Sequence, residues 1–183
     1  MTIGLTIRAL EESDPPIMSR AFAAIGWHKP VAQYERYLAE QHAGDRAVFV
    51  ASVDGEFAGY VTLVWQPRYP YFRERGIPEV QDLNVLPQFR RRGIASRLVD
   101  AAEGVAAARV AVVGIGVGLH PGYNAAQRMY VLRGYVPDGQ GVAYDTRYVS
   151  EGELVRFDDE LALYFTKRVR ESVSSVSPTA ERG

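Results

Sequence analysis

Apolar residues in the first third of the chain change from alternating spacing to helical spacing and back. Residues 5–9 alternate between apolar and polar side chains, as in a strand with one buried face. Apolar residues then recur at every third or fourth position, behind polar and proline residues that typically start helices. The turn signal Asp54-Gly55 separates two further alternating segments. This pattern predicts the order strand, helix, helix, strand, strand, over residues 5–9, 13–25, 30–42, 46–53 and 57–65.

The rest of the pattern predicts further strands and helices behind a long loop. Residues 110–119 form a continuous apolar run, which is expected of a strand buried on both faces of a sheet. The glycine at 134 is a typical helix end. The predicted elements are a loop at 66–78, strands at 79–86, 110–119, 141–149 and 161–169, and helices at 92–109 and 124–133. We expect one domain over residues 1–171 and a disordered, serine-rich tail over 172–183.

The composition of the 183 residues is that of an ordinary globular protein, with 47% hydrophobic and 23% charged residues. Cysteine is absent, which excludes a disulfide framework, a thiol nucleophile and a thiolate metal site. The three histidines are far apart in the sequence, so no metal site is expected. A net charge of −1 gives no reason to expect a nucleic acid or a membrane surface as partner. No apolar run approaches the roughly 20 residues that span a bilayer, and the first residues do not form a signal peptide, so we expect a cytoplasmic protein.

Residues 87–96 lie between a predicted strand and a predicted helix and are candidates for an anion site. The first turn of a helix offers unpaired N–H groups and the positive end of the helix dipole. Positive charge is added by three consecutive arginines, Arg90, Arg91 and Arg92. The alternative is a basic turn that only caps the helix. The signature of a P-loop is absent, and the glycines of 114–118 lie inside a strand rather than before a helix, which argues against a dinucleotide-binding fold.

The strand predicted over 79–86 has an irregular hydrophobic pattern. Leu83 and Val85 share one face of a regular strand, and Val80 falls on the other face. A β-bulge near Gln81-Asp82 adds one residue and brings all three apolar side chains to the same face. The alternative is that Val80 packs beneath the long loop.

Two segments of the chain resemble the motifs of the GNAT N-acetyltransferases. The first, Val85-x-Pro87-x-x-Arg90-Arg91-x-Gly93-Ile94-Ala95 followed by Leu98, is similar to the acyl-CoA motif of that family, although many members carry glycine in place of Arg91 and Ala95. The second motif runs from Asn124 to Tyr135. With the order of elements, the resemblance covers about residues 3–170. It implies an α/β (α+β) fold, a mixed and mostly antiparallel sheet that is flanked by helices and splayed between its fourth and fifth strands, with acyl-CoA in the gap.

The resemblance implies an acetyl-CoA-dependent enzyme. The acetyl group is expected to move directly to a primary amine in a ternary complex, with a small molecule as the acceptor. The backbone of Leu83, Asn84 and Val85 is expected to pair with the pantetheine of the cofactor like an added strand. Further contacts with acetyl-CoA are expected from Arg90, Arg91, Arg92, Gly93, Ile94, Ala95, Ser96 and Asn124. Asn124 is equally placed to cap a helix, with Gln127 completing a capping box.

Transfer to an amine requires a base for the amine proton and an acid for the leaving thiolate. Tyr130 matches the motif tyrosine that faces the CoA sulfur in similar proteins and is expected to be the acid. The alternative for Tyr130 is a core aromatic on an amphipathic helix. With the bulge, Glu79, Asp82 and Asn84 fall on the polar face of their strand. Glu79 matches the strand carboxylate that some similar proteins use, so the resemblance implies Glu79 as the base, ahead of Asp82 and then His120; the alternative is a water chain, as in many relatives.

Aromatic residues of the long loop are expected to bind the acceptor, because aromatic rings with nearby carboxylates suit a cationic amine. The expected residues are Trp65, Tyr69, Tyr71, Phe72 and, on a later strand, Tyr144. The alternative is a lid that buries its own rings. Two other functions stay open, a non-catalytic acyl-CoA sensor and an acetyltransferase of protein N-termini or lysines. Three arginines in a chain of net charge −1 argue against a nucleic-acid binder, and the sequence leaves a homodimer open.

Overall fold

The structure, a computed structural model, describes residues 4–170. In this range the elements are β1 Leu5–Ala9, α1 Asp14–Ala23, α2 Val31–Ala43, β2 Arg46–Val53, β3 Glu56–Val64, α3 Pro70–Glu74, β4 Glu79–Val85, α4 Ile94–Ala107, β5 Val112–Gly118, α5 Asn124–Leu132, β6 Val136–Tyr144, β7 Arg147–Tyr148 and β8 Leu161–Arg168. The predicted tail at 172–183 lies outside the described residues. No helix between residues 4 and 170 is both long and apolar enough to cross a membrane.

The strands of the described range join one sheet in the order β1-β2-β3-β4-β5-β8-β6-β7. β4 and β5 are parallel, and the other neighbouring pairs are antiparallel. β4 pairs with β5 at Glu79–Gly114 and Val80–Ile115, whereas β5 pairs with β8 from Val112 to Gly118. The two parallel strands therefore part after Val80. This confirms the mixed, mostly antiparallel sheet that splays between its fourth and fifth strands.

One extra residue in β4 confirms the predicted bulge. Tyr60 of β3 pairs with Asn84 of β4. Two residues further along β3, Thr62 pairs with Gln81, which is three residues from Asn84 on β4. Asp82, inside this segment, has a φ of 51°, in the left-handed region that non-glycine residues seldom adopt. The apolar residues of the irregular pattern all reach the main hydrophobic core, as expected: Val80, Leu83 and Val85.

Helices cover the two faces of the sheet separately. α1 and α2 cover the face that carries Tyr60, whose ring meets Phe22 and Tyr34 edge-on, with centroids 5.8 and 5.4 Å apart. Side chains alternate along β3, so Val61 and Leu63 point to the opposite face, where they are fully buried beneath α4. The side chains of β4 and β5 are thus divided between an α1–α2 face and an α4 face.

The structure differs from the prediction in two connections. The strand expected over 141–149 is a hairpin, in which β6 already begins at Val136 and the chain turns at Asp145-Thr146. Both turn residues have positive φ, 46° and 66°, as a tight two-residue hairpin requires. Because neither is glycine, the sequence pattern did not indicate the turn. Within the predicted loop at 66–78, Pro70–Glu74 form the short helix α3.

Glycines on β5 let aromatic rings lie directly on its backbone. Three glycines share one face of the strand, and three rings cover them in order: Phe72 over Gly114, Tyr164 over Gly116 and Tyr123 over Gly118. A Cβ atom at Gly116 would lie 2.8 Å from the Tyr164 ring, closer than packed side chains tolerate. Glycine weakens a strand interior, and its use here marks a close approach of other groups to the backbone.

This packing predicts that Gly114→Ala destabilises the fold. The added methyl group would overlap the buried Phe72 ring, and such overpacking typically costs about 1–3 kcal/mol of the free energy of unfolding. The matched control is Gly104→Ala within α4, where nothing lies near the new Cβ atom and a gain of about 0.5–1 kcal/mol is expected. Urea unfolding of the two variants measures both changes. A Gly114→Ala variant as stable as the unmodified protein would contradict the packing described for β5.

Candidate active site

A cavity of about 570 Å³ opens where β4 and β5 part. Residues 79–84 of β4 and 115–118 of β5 form two of its sides. Side chains from outside these strands complete it, among them Lys29, Tyr123, Tyr130, Asp159, Glu160 and Tyr164. The structure brings together in this cavity five residues of the predicted site: Glu79, Asp82, Leu83, Asn84 and Tyr130.

The cavity connects the two faces of the sheet. Glu79 is paired with Gly114, so its side chain lies on the face that carries the three aromatic rings. Tyr130 belongs to α5, which packs against α4 on the other face, where the Arg133 guanidinium donates to the carbonyl of Ser96 at 3.3 Å. A ligand placed between the parted strands would therefore have Glu79 on one side and Tyr130 on the other.

Glu79 is a buried carboxyl group with one side open to the cavity. Only 6% of the residue is exposed, and the Gln81 amide donates to its Oε2 at 2.9 Å. Burial raises the pKa of Glu79 to about 7, while the hydrogen bond from Gln81 and the positive charge of Arg46 act in the opposite direction. A carboxyl group in this state exchanges its proton near neutral pH, which is the property that a general base requires.

Tyr130 is 5% exposed and lines the cavity from α5. Burial raises the pKa of its hydroxyl above the ordinary value, and the nearby Tyr123 adds to the effect. The hydroxyl therefore keeps its proton throughout the neutral range and can donate it as a hydrogen bond. Ala126, one helical turn earlier, also lines the cavity and leaves room beside the ring.

Asp82 lines the cavity, but its carboxylate is already surrounded by donors. On Oδ1 these are Lys29 Nζ at 3.0 Å and Asn84 Nδ2 at 2.7 Å, and on Oδ2 they are Gln33 Nε2 at 3.1 Å, the Tyr37 hydroxyl at 3.0 Å and the Tyr60 hydroxyl. A carboxylate offers about four lone-pair positions. Little of Asp82 is left to accept a proton from another molecule.

The turn between β4 and α4 places exposed arginines beside the start of a helix. Arg91 and Gly93 both have left-handed φ angles, 60° and 77°, and α4 begins at Ile94. Arg90 Nε donates to the carbonyl of Val85 at 3.1 Å, which ties the turn to the end of β4. The arginines are exposed, and the first N–H groups of α4 lie beside them. This turn lies beyond the lining of the cavity, at the end of β4 that follows the bulge.

The start of α5 differs from the predicted capping box. The helix begins at Asn124, which is exposed, and no side chain caps it. Gln127 instead donates from Nε2 to the carbonyl of Gly118 at 2.8 Å and so fastens α5 to the end of β5. The prediction of a capping box was therefore wrong, because the Gln127 amide donates to the carbonyl at the end of β5 instead.

His120, the third candidate base, is held at 2.7 Å from Asp159.

The aromatic residues expected to bind an acceptor lie outside the cavity lining. Tyr69 and Phe72 are fully buried: Tyr69 stacks on Tyr164 with centroids 3.6 Å apart, and Phe72 meets the same ring edge-on at 5.5 Å. These two residues pack behind Tyr164, a ring of the cavity wall, which corrects the expectation that they contact the acceptor.

The other three aromatic residues of the prediction contact side chains outside the cavity: Trp65 faces Arg109, Tyr71 faces Arg75, and Tyr144 donates to Asp158.

Sequence patterns missed four of the residues that line the cavity. They are Tyr123, Tyr164 and the acidic pair Asp159 and Glu160. Hydrogen bonds from His120, at 2.7 Å, and from the Tyr123 hydroxyl, at 3.1 Å, hold the pKa of Asp159 below its ordinary value. The glycine run of β5 is the only local signal, because glycines on one face of a strand indicate that large groups lie against it, but it does not identify which residues these are.

One comparison with known proteins identifies a family, and another shows a shared fold. A family model described as the acetyltransferase (GNAT) family matches residues 7–135. No curated protein matches the sequence. Among solved structures, the ribosomal-protein-S18-alanine N-acetyltransferase from Escherichia coli superposes with a TM-score of 0.67 at 15% identity, over 94% of this chain and 99% of that one.

Two further structures show the same fold. YncA from Salmonella typhimurium, solved with its cofactor acetyl-CoA, has a TM-score of 0.66 and 18% identity, over 93% of this chain and 96% of that one. The spermidine/spermine N-acetyltransferase SpeG from Vibrio cholerae has a TM-score of 0.62 and 17% identity, over 90% of this chain and 92% of that one. At these identities the likeness shows the fold alone.

The burial of Glu79 predicts a pH-dependent stability. Its pKa is about 7 in the folded protein and close to 4.3 in an unfolded chain, so between these values the folded protein binds a proton that the unfolded chain has released. Stability due to this site therefore falls as the pH rises, by at most about 1.4 kcal/mol per pH unit, and levels off above the folded pKa. Urea unfolding of the unmodified protein and of Glu79→Gln, at several pH values from acid to neutral, measures the difference. A difference independent of pH would contradict the raised pKa.

Proposed function

This chain belongs to the acetyltransferase (GNAT) family, and we propose that it transfers the acetyl group of acetyl-CoA directly to a primary amine on a small, positively charged molecule. The family uses acetyl-CoA as the acyl donor. The observation that carries the proposal is the cavity at the split between β4 and β5, with a proton acceptor, Glu79, on one side and a proton donor, Tyr130, on the other.

The residues around the split fit acetyl-CoA. Beyond Val80 the pairing between β4 and β5 ends, so the backbone of residues 83–85 can pair with the amides of an extended ligand instead. The turn at 90–93 and the first N–H groups of α4 suit phosphates at the other end of such a ligand. These are the residues that would hold the cofactor.

The chemistry follows from the two groups that face each other across the gap. Acetyl-CoA, when bound, supplies a thioester carbonyl carbon that an amine can attack. An ordinary primary amine has a pKa of about 10.4 and arrives protonated, so its nitrogen must first lose a proton. The carboxylate of Glu79 accepts that proton, and the Tyr130 hydroxyl donates a proton to the sulfur as the C–N bond forms and the C–S bond breaks. The second proton that the nitrogen loses as it becomes an amide restores the Tyr130 hydroxyl, and Glu79 releases its proton to solvent.

The charges of the cavity support a cationic acceptor. Glu79, Asp159 and Glu160 line it, and the cation Lys29 is engaged in an ion pair with Asp82 at 3.0 Å. The rings of Tyr123 and Tyr164 provide aromatic faces on the same side of the sheet. An acceptor with a second positive charge would meet Asp159 and Glu160 while its reactive amine lies near Glu79.

We therefore expect a diaminoalkane to be a better acceptor than the amino alcohol of the same length. The second ammonium group pairs with the acidic residues, and a gain of about 1.4 kcal/mol corresponds to a tenfold higher kcat/KM. Release of the CoA thiol with saturating acetyl-CoA measures the rates. The double variant Asp159→Asn with Glu160→Gln should remove the preference, and Glu151→Gln, an exposed residue of the same loop, should retain it.

The two outcomes against this proposal are separate. Failure of every amine in a broad panel to accelerate thiol release would overturn the acetyltransferase activity. Equal rates for the diamine and the amino alcohol would leave the activity in place and overturn the charge of the acceptor.

The proposed base and acid predict different kinetic effects. The acid limb of the kcat/KM profile should lie near pH 7, since activity needs the ionised form of Glu79, and Glu79→Gln should abolish this limb. Tyr130→Phe should lower kcat by about 10²–10⁴-fold with little change in the affinity for acetyl-CoA, because the hydroxyl acts as the thiolate leaves. Rates measured across pH for both variants test the assignment. An unchanged acid limb in Glu79→Gln would give the role of base to another group.

A further inference from the structure

The left-handed backbone of Asp82 needs an explanation. A non-glycine residue with a φ of 51° persists only where the surrounding structure determines the conformation strongly. Glycine would adopt this conformation without strain. The side chain of Asp82 makes polar contacts at the bulge that a glycine would lack.

The donors around the Asp82 carboxylate come from one face of the sheet. Lys29 precedes α2, Gln33 and Tyr37 lie on α2, and Tyr60 lies on β3. Together they draw the bulge toward α2 and β3. The pairing of β4 with β5 ends at Val80, two residues before Asp82. The anchored residue and the opening of the sheet thus occupy the same stretch of β4.

We propose that Asp82 is a positioning residue, whose carboxylate fastens the bulge of β4 to α2 and β3 and so keeps the backbone of residues 83–85 parted from β5 where acetyl-CoA is received. The inference rests on the proposed function, which supplies the ligand. Asp82 then acts on the affinity for the acyl donor and leaves proton transfer to Glu79. Lys29 balances its charge inside the cavity.

The substitution Asp82→Asn tests this role. Asparagine tolerates the left-handed conformation, but its amide nitrogen would face donors in place of one carboxylate oxygen, and the ion pair with Lys29 is lost. The dissociation constant of acetyl-CoA, measured by calorimetry, should rise by about tenfold or more, because hydrogen bonds to a charged group are lost. The acid limb of the kcat/KM profile should stay where it lies in the unmodified protein.

Gln41→Leu is the matched control. Gln41 also fastens α2 to its surroundings, donating to the carbonyl of Leu10 at 2.9 Å and accepting from the amide of Val48 at 3.2 Å, but it lies away from the bulge. This variant should lose stability without a change in the affinity for acetyl-CoA. If Asp82→Asn does not fold, Tyr37→Phe removes a single donor from the same carboxylate, and a smaller rise in the dissociation constant is expected.

Three results would overturn the inference. The first is an unchanged dissociation constant in both Asp82→Asn and Tyr37→Phe. The second is loss of the acid limb in Asp82→Asn, which would make Asp82 the base. The third is an equal loss of affinity in Gln41→Leu, which would reduce the effect to general destabilisation. Failure of the unmodified protein to bind acetyl-CoA at all would instead overturn the proposed function.

Discussion

The carboxylate of Asp82 accepts hydrogen bonds from five donors at the bulge of β4, and these contacts determine where β4 stops pairing with β5. A non-glycine residue in the left-handed region costs about 1–3 kcal/mol, and a hydrogen bond to a charged group contributes about 1.5–3 kcal/mol. Two or three of the contacts to Asp82 are therefore enough to offset the strain of its backbone. The split between the two strands, the cavity within it and the placement of Glu79 and Tyr130 on its opposite sides all depend on that local balance.

The wall of the cavity on the side of β5 depends on the three glycines of that strand. Without side chains on one face, the strand lets Phe72, Tyr164 and Tyr123 lie against its backbone, and the stacked Tyr69 closes the layer from behind. Rings held between a strand and other rings have little freedom to reorient. An aromatic wall supported by stacked rings thus faces a strand whose bulge is held by polar contacts.

Local rules of the sequence predicted the part of the site that lies on consecutive residues. The alternation of a strand is strict, so the misplaced parity of Val80 was enough to indicate the bulge, and with it the polar face that carries Glu79. Tyr164, Asp159 and Glu160 could not be predicted in this way, because they reach the cavity through the pairing of β8 with β5, which no local pattern encodes. The aromatic loop was assigned to the acceptor because aromatic rings near carboxylates suit a cationic amine, but the burial of Tyr69 and Phe72 against Tyr164 appears only in three dimensions.

The burial of Glu79 has a consequence for the order of events at the site. Ionisation of a group and binding of a charged partner are linked, and each changes the equilibrium of the other by the same factor. A cation that enters the cavity beside Glu79 lowers the pKa that burial has raised, so binding of the proposed acceptor expels a proton from the enzyme before any bond is formed. An uncharged amine does not lower the pKa of Glu79 in this way. The acceptor therefore generates the ionised carboxylate that its own deprotonation requires, and an empty site in neutral solution holds Glu79 in a mixture of both forms.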